Sequence, residues 1–321
     1  MRHLLSLADW DRASIEGALR LASEAKRDRE SVASAMRGRT LLMLFEKASL
    51  RTRLSFEVAM LQMGGHAIFY DLAHSPWRAG KETPGDTSRT ASRYVDAIMA
   101  RLFRRADLET LAEHASVPVI NGLTDLEHPC QALGDLMTLQ ERKGRLEGLS
   151  LTYLGDANNN VTHSLLDGCA KTGVHLAIAC PRGKEFRPAD EVLDRALRFA
   201  RESGASIRIT HDPAAAVAGA DAVYTDTWMS YHIPELRREA RTRELRPFSV
   251  TPERMSHAKP DAIFLHCLPA QRGVEVAAQV IDGPQSAVFD QAENRLHVEK
   301  AVLIMLLQGP ALQAPTTAAR R

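Results

Sequence analysis

Two kinds of hydrophobic patterning alternate along the 321-residue chain: short apolar runs rich in β-branched residues, and longer stretches whose apolar positions recur every three to four residues. The short runs predict buried strands and the longer stretches predict helices. Their alternation predicts βα units that build a parallel sheet. TLLMLFE (residues 40–46) is the first such strand, followed by a helix over 53–63 stopped by Gly64-Gly65 and a strand over 66–71. Further strands are predicted at 97–102 and 117–121, and then a helix at 129–143 ended by Gly144. A second set opens with LSLTYLG (149–155) and continues with strands at 174–180, 206–210, 222–225 and 262–266. The apolar face of NRLHVEKAVLIMLL (294–307) predicts a packed helix, and the Pro/Ala/Thr-rich stretch beyond it predicts a loose tail.

The length exceeds what one hydrophobic core organises, so the two sets of βα units predict two domains meeting near residue 147. The fold class expected is therefore α/β, with two doubly wound parallel-sheet domains and the active site in the cleft between them.

Composition narrows the function. Forty-one Lys and Arg balance forty Asp and Glu to a net charge of +1, which provides no global field for nucleic acid or an anionic membrane. No stretch approaches a membrane span, and the first twenty residues lack the apolar run of a signal peptide, so a cytoplasmic protein is expected. The four cysteines form no CxxC pair and are expected to be reduced thiols. His128 and Cys130 with His266 and Cys267 have spacings of two and one, which do not match a structural zinc site, so neither metal nor cofactor is expected.

The first candidate site follows the strand over 40–46, where KASLRTR leads into a helix. It gathers hydroxyls, two guanidiniums and free backbone N–H groups at a helix start, an arrangement that binds phosphate. Taken alone, the loop also reads as an N-cap hydroxyl beside solvated arginines. No GxxxxGK[ST] loop occurs, and the turn GDANNN lacks the GxGxxG of dinucleotide sites, which argues against nucleotide binding.

Four more polar clusters follow predicted strands, where doubly wound sheets place ligands. They are Arg101, His128-Pro129-Cys130-Gln131, residues 226–230, and His266-Cys267-Leu268-Pro269. Singly, such a His reads equally as a cap or core residue, and such a Cys as a small hydrophobe. Together, FEKASLRTRLSFEVA, HPCQAL, FLHCLPA and FDQAENRLH resemble the aspartate/ornithine carbamoyltransferase family, and within it the ornithine-using branch, over essentially the whole chain.

The resemblance implies that residues 1–147, joined by a C-terminal helix at about 294–310, bind carbamoyl phosphate. It implies that residues 148–293 bind the amino acid and that 311–321 are a tail. Ser49, Leu50 through its backbone, Arg51, Thr52 and Arg295 would hold the phosphate. Arg101, His128 and Gln131 would contact the carbamoyl group, with Cys267 and Leu268 close to the same substrate. Asn160, Asp226, Ser230 and Tyr231 would bind ornithine, and Asp226 with Cys267 would help deprotonate the attacking amine. Arg101, His128, Asp226 and Cys267 are thus the expected catalytic residues. Arg53 is expected to be structural. A homotrimer with shared active sites is implied as well.

Two departures from the family pattern concern the acceptor. The ornithine loop Asp-x-x-x-Ser-Met-Gly reads here Asp226 to Ser230 followed by Tyr231 and His232, which removes a flexible glycine and adds bulk and a titratable ring. In HSPWRAGKE, the loop that the resemblance implies reaches a neighbouring subunit, Trp77 stands where ornithine enzymes generally carry Gln and N-acylornithine enzymes carry Trp. The HCLPA block is of the ornithine type, so ornithine is the first expectation. A related amine, or a non-catalytic homologue that binds carbamoyl phosphate, is the alternative.

Overall fold

The computed structural model describes residues 3–229 and 233–308. The first α/β domain opens with α1 (Arg12–Arg27) and β1 (Thr40–Phe45), and continues with α2 (Leu50–Gln62), β2 (His66–Asp71), α3 (Pro84–Ala91), β3 (Ala97–Arg101), α4 (Arg105–His114), β4 (Val119–Leu123) and α5 (Pro129–Lys143). Its four strands lie parallel in the order β2-β1-β3-β4.

The second sheet is also parallel, in the order β7-β6-β5-β8-β9. It comprises β5 (Ser150–Leu154), α6 (Asn160–Thr172), β6 (His175–Ala179), α7 (Asp190–Ser203), β7 (Ile207–Thr210), α8 (Pro213–Val217) and β8 (Ala222–Thr225). After these come α9 (Arg238–Leu245), α10 (Pro252–Ser256), β9 (Ile263–Leu265), α11 (Ala278–Ile281) and α12 (Val288–Gln308). The strand order reverses beside β5, the switch point at which such sheets open a crevice at their carboxyl ends.

Register explains where the polar clusters meet. Phe45 pairs with Arg101, so the loop after β1 leaves the sheet edge beside the end of β3. In the other sheet Leu154 pairs with Thr225 and Tyr224 with Leu265, so Asp226 and His266-Cys267 emerge at one edge. The long helix α12 returns to pack on α1, α2 and α5. Gly134 on α5 admits it, since a Cβ there would stand 3.2 Å from Arg295 Cδ.

Three elements differ from the sequence expectation by two residues or more at a boundary. The helix expected from residue 53 starts at Leu50, because Ser49 caps it by accepting from the Thr52 N–H at 3.2 Å. The strand expected over 117–121 runs from Val119 to Leu123, in keeping with Pro118, which has no N–H to donate to a ladder. The C-terminal helix begins at Val288 rather than 294. Residues 311–321, expected as a tail, lie outside the described residues.

Candidate active site

A cleft of about 480 Å³ opens where these carboxyl edges face each other. Ser49, Leu50, Arg51, Thr52, Arg101, His128, Gln131, Asn160, Asp226, Cys267, Leu268 and Arg295 all line it. Every site residue expected from sequence is therefore present, except Ser230 and Tyr231, which with His232 lie outside the described residues.

One wall of the cleft is the first turn of α2. Once Ser49 has capped the helix, the remaining N–H groups and the positive end of the helix dipole face the cleft. Arg51 reaches across it, with Nη2 donating to the Leu268 carbonyl at 2.6 Å. Arg101 Nη1 lies 3.3 Å from Thr52 Oγ1, and the buried Arg295 Nη2 lies 3.5 Å from the same hydroxyl. Arg295 is fixed from behind by Glu299, whose Oε1 accepts from Nη2 at 2.6 Å and from Nε at 3.0 Å. Arg53 points elsewhere, pairing with Glu57 at 3.0 Å and stacking on Phe69.

His128 is the N-cap of α5 but makes no side-chain cap, so its imidazole stays directed at the cleft. Burial, reinforced by Arg295 and Arg101, holds its pKa well below the usual range, so the ring is neutral. Its Nδ1 is buried with no hydrogen-bond partner among the described residues. Gln131, one turn further along, accepts from Arg295 Nη1 at 2.9 Å and donates to Asp135 at 2.8 Å. Asp135 also accepts from Gln291, whose Oε1 takes the His266 N–H at 2.9 Å, so a buried chain of hydrogen bonds ties the two strand edges together.

Across the cleft, Cys267 Sγ lies 3.0 Å from Asp226 Oδ1. Burial and the Asp226 charge push the thiol pKa well above its ordinary value, so it is a protonated donor to the carboxylate. Asn160, at the start of α6, donates to the Thr124 carbonyl at 2.5 Å and so touches the loop that precedes His128.

Thr227 and Met229 of the 226–230 cluster also line the cleft, and so does Lys47, which was given no role from sequence. For Lys47 the signal was present, since it opens the KASLRTR run. Burial, assisted by Arg101, lowers its pKa to about 8.

Two family models match the chain: the aspartate/ornithine carbamoyltransferase carbamoyl-P binding domain over residues 2–141, and the Asp/Orn binding domain of the same family over residues 147–306. The ornithine carbamoyltransferase of Thermococcus kodakarensis is 48% identical over 310 residues, covering 96% of this chain and 97% of that one. The chain belongs to the aspartate/ornithine carbamoyltransferase family. The solved ornithine carbamoyltransferase from Pyrococcus furiosus superposes with a TM-score of 0.91 at 47% identity, over 96% of this chain and 97% of that one. An acetylornithine transcarbamylase complexed with acetylcitrulline superposes at 0.87 with 31% identity, over 96% and 99%.

Trp77 does not line its own chain's cleft; the residue is 7% exposed and belongs to a core cluster of its own domain with Leu44, Leu72, Val95 and Ile98. Burying a large indole in the local core outweighs leaving it on a loop in water.

The His128–Cys130 and His266–Cys267 grouping considered from sequence is replaced by a different trio. Ligand atoms of Asp226, His266 and Cys267 lie within 4.8 Å of one another. Two of these groups are already engaged: His266 Nδ1 accepts the Leu268 N–H at 2.9 Å, and the Cys267 thiol faces Asp226 Oδ1 at 3.0 Å. No helix among the described residues is long and apolar enough to cross a membrane.

Proposed function

We propose that this transferase moves the carbamoyl group of carbamoyl phosphate to the side-chain amine of L-ornithine, giving L-citrulline and phosphate within arginine metabolism. The observation that carries the reading is the meeting, in one cleft, of a phosphate-shaped helix start, a carbonyl-shaped set of donors, and a carboxylate–thiol pair on the facing wall.

Ser49, the Leu50 backbone, Arg51, Thr52 and Arg295 hold the phosphate. Arg101, neutral His128 and Gln131 address the carbamoyl oxygen, with Cys267 and the Leu268 carbonyl beside the same group. Donors preorganised toward the oxygen on which charge develops are worth about 3–4 kcal/mol each in other acyl transfers. Asn160, Asp226, Ser230 and Tyr231 bind ornithine. The amine gives up a proton toward Asp226 and attacks the carbonyl carbon, the C–O bond to phosphate breaks, and phosphate leaves with that electron pair. Positioning and electrostatics suffice, and neither a metal nor a cofactor takes part.

Residues 1–147, with the C-terminal helix from about 294, are read as the carbamoyl-phosphate domain, and residues 148–293 as the ornithine domain. The enzyme is read as a cytoplasmic homotrimer. Exposed apolar residues support assembly: Leu50, Leu54 and Leu61 on α2 and Ile68, Phe69 and Tyr70 on the edge strand β2 are all solvent-facing in the single chain.

An N-acylornithine acceptor is the second reading, favoured by the Trp at position 77 and the change to Tyr231 and His232. Incubation with carbamoyl phosphate and ornithine should give citrulline by colorimetric ureido assay. No ureido product from any amine would end the enzymatic reading.

A further inference from the structure

The loop that carries His128 is held by its own domain and also, at three points along α6, by the other one. Asn160 donates to the Thr124 carbonyl at 2.5 Å, and Ser164 Oγ accepts the His128 N–H at 2.8 Å. His163 accepts the Ala189 N–H on Nε2 at 3.1 Å, which leaves its Nδ1 proton for the Leu126 carbonyl at 2.9 Å. These three residues are on α6, so its first turns dock on residues 124–128.

Between Leu126 and His128 the chain inserts Glu127, 1% exposed, a carboxylate placed where burial is tolerable only with full pairing. Ser6 Oγ donates to its Oε1 at 2.7 Å, and Arg105 of α4 donates to its Oε2. Arg195 of α7 donates to Oε1, while the same guanidinium grips the buried Asp167 of α6 through Nε at 3.0 Å and Nη2 at 2.7 Å. One carboxylate thus joins a guanidinium from each domain, immediately before the residue whose ring faces the carbamoyl site.

We propose that Glu127 and Arg195 form an interdomain latch that positions His128, fixing its imidazole relative to both Arg101 and Asn160. The inference rests on the reading of His128 as a carbamoyl contact. The latch residues themselves lie outside the cleft lining, so they act through the loop and not on substrate. The phosphate side hangs on α2 and α12, which the latch does not touch. Its loss therefore separates the two ends of the donor: a shifted ring slows carbamoyl transfer while the phosphate remains held.

Glu127→Ala would strand two guanidiniums beside buried groups and endanger folding, so the test uses Glu127→Gln and Arg195→Met, singly and together, in the full-length enzyme. Each single variant should lower kcat for carbamoyl transfer to ornithine about 10- to 100-fold, the scale of a misplacement near 1 Å. KM for carbamoyl phosphate should stay within about twofold, as expected when an interaction made only in the transition state is lost. The double variant should be no worse than the poorer single variant, because both break one device.

Multiplying losses in the double variant would overturn the latch, and so would lowered melting temperatures with unchanged kcat, which mark a merely structural pair. Wild-type turnover with unaffected variants sinks the latch alone. Absence of ornithine turnover in the wild type removes the function reading and the latch with it.

Discussion

Cys267 donates its thiol proton to Asp226 across 3.0 Å, and burial, reinforced by the charge it faces, keeps that thiol from ionising. The pair sits at the carboxyl ends of β9 and β8, neighbouring strands whose register fixes the distance. A thiol held protonated is a poor nucleophile. On the proposed reading, its use is to orient the carboxylate toward an incoming amine.

Asp226→Asn should therefore lower kcat by about 10²-fold or more, the usual range for removing a proton acceptor. Cys267→Ser retains a donor at the same place and should cost much less. The check is steady-state citrulline formation. Equal and severe losses in both variants would mean that the thiol takes a direct chemical part.

Arg51→Ala tests the phosphate loop. Arg51 adds charge-assisted bonds worth about 1.5–3 kcal/mol to any anion it holds, so KM for carbamoyl phosphate should rise about 10- to 100-fold. Its bond to the Leu268 carbonyl also spans the cleft, so the ornithine KM should rise by a smaller factor. Initial rates with each substrate varied in turn check both. An unchanged carbamoyl phosphate KM would remove the loop from the phosphate site.

Lys47 gives the site a pH dependence. Its pKa in the empty cleft is lowered to about 8, and an anion beside it favours the protonated form. Anion affinity attributable to Lys47 is therefore complete below pH 8 and declines as pH rises beyond it. Sulfate, which does not titrate there, is a suitable competitive probe: its inhibition constant should increase from pH 7.5 to 9.5 in the wild type and be nearly flat in Lys47→Met. Parallel profiles would exclude Lys47.

Asp135 provides a stability signature. Burial raises its pKa from 3.8 to about 7, so the folded state disfavours its charge. Relative to a neutral group, its stability contribution is intact below pH 4 and is lost as pH rises from about 4 through 7. Gln131 and Gln291 both donate to Oδ1, so Asp135→Asn can keep both bonds. The melting temperature of the variant minus that of the wild type should increase between pH 4 and 7.5. A difference independent of pH would contradict the raised pKa.

Much of this was readable along the chain because the signals were local. The first-domain strand over 66–71 and the helix over 129–143 follow directly from apolar spacing and Gly144, which ends its helix with a φ of 76°. The motifs named the cleft because doubly wound sheets put strand ends together whatever the sequence between them. What stayed hidden depends on long-range partners. Nothing near Trp77 announces that Leu44 and Ile98 will enclose it, and nothing beside Glu127 announces Arg195, 68 residues away. Lys47 was passed over because a lysine in a loop reads as solvated until its burial is known.

The central claim is the identity of the acceptor, and a direct competition tests it. Purified enzyme is given carbamoyl phosphate with equal ornithine, N-acetylornithine and putrescine, and the ureido products are separated by mass. Citrulline should dominate, since a single pocket change shifts preference by only about 1–3 kcal/mol against an otherwise ornithine-type cleft. Predominant N-acetylcitrulline or carbamoylputrescine would contradict the assignment.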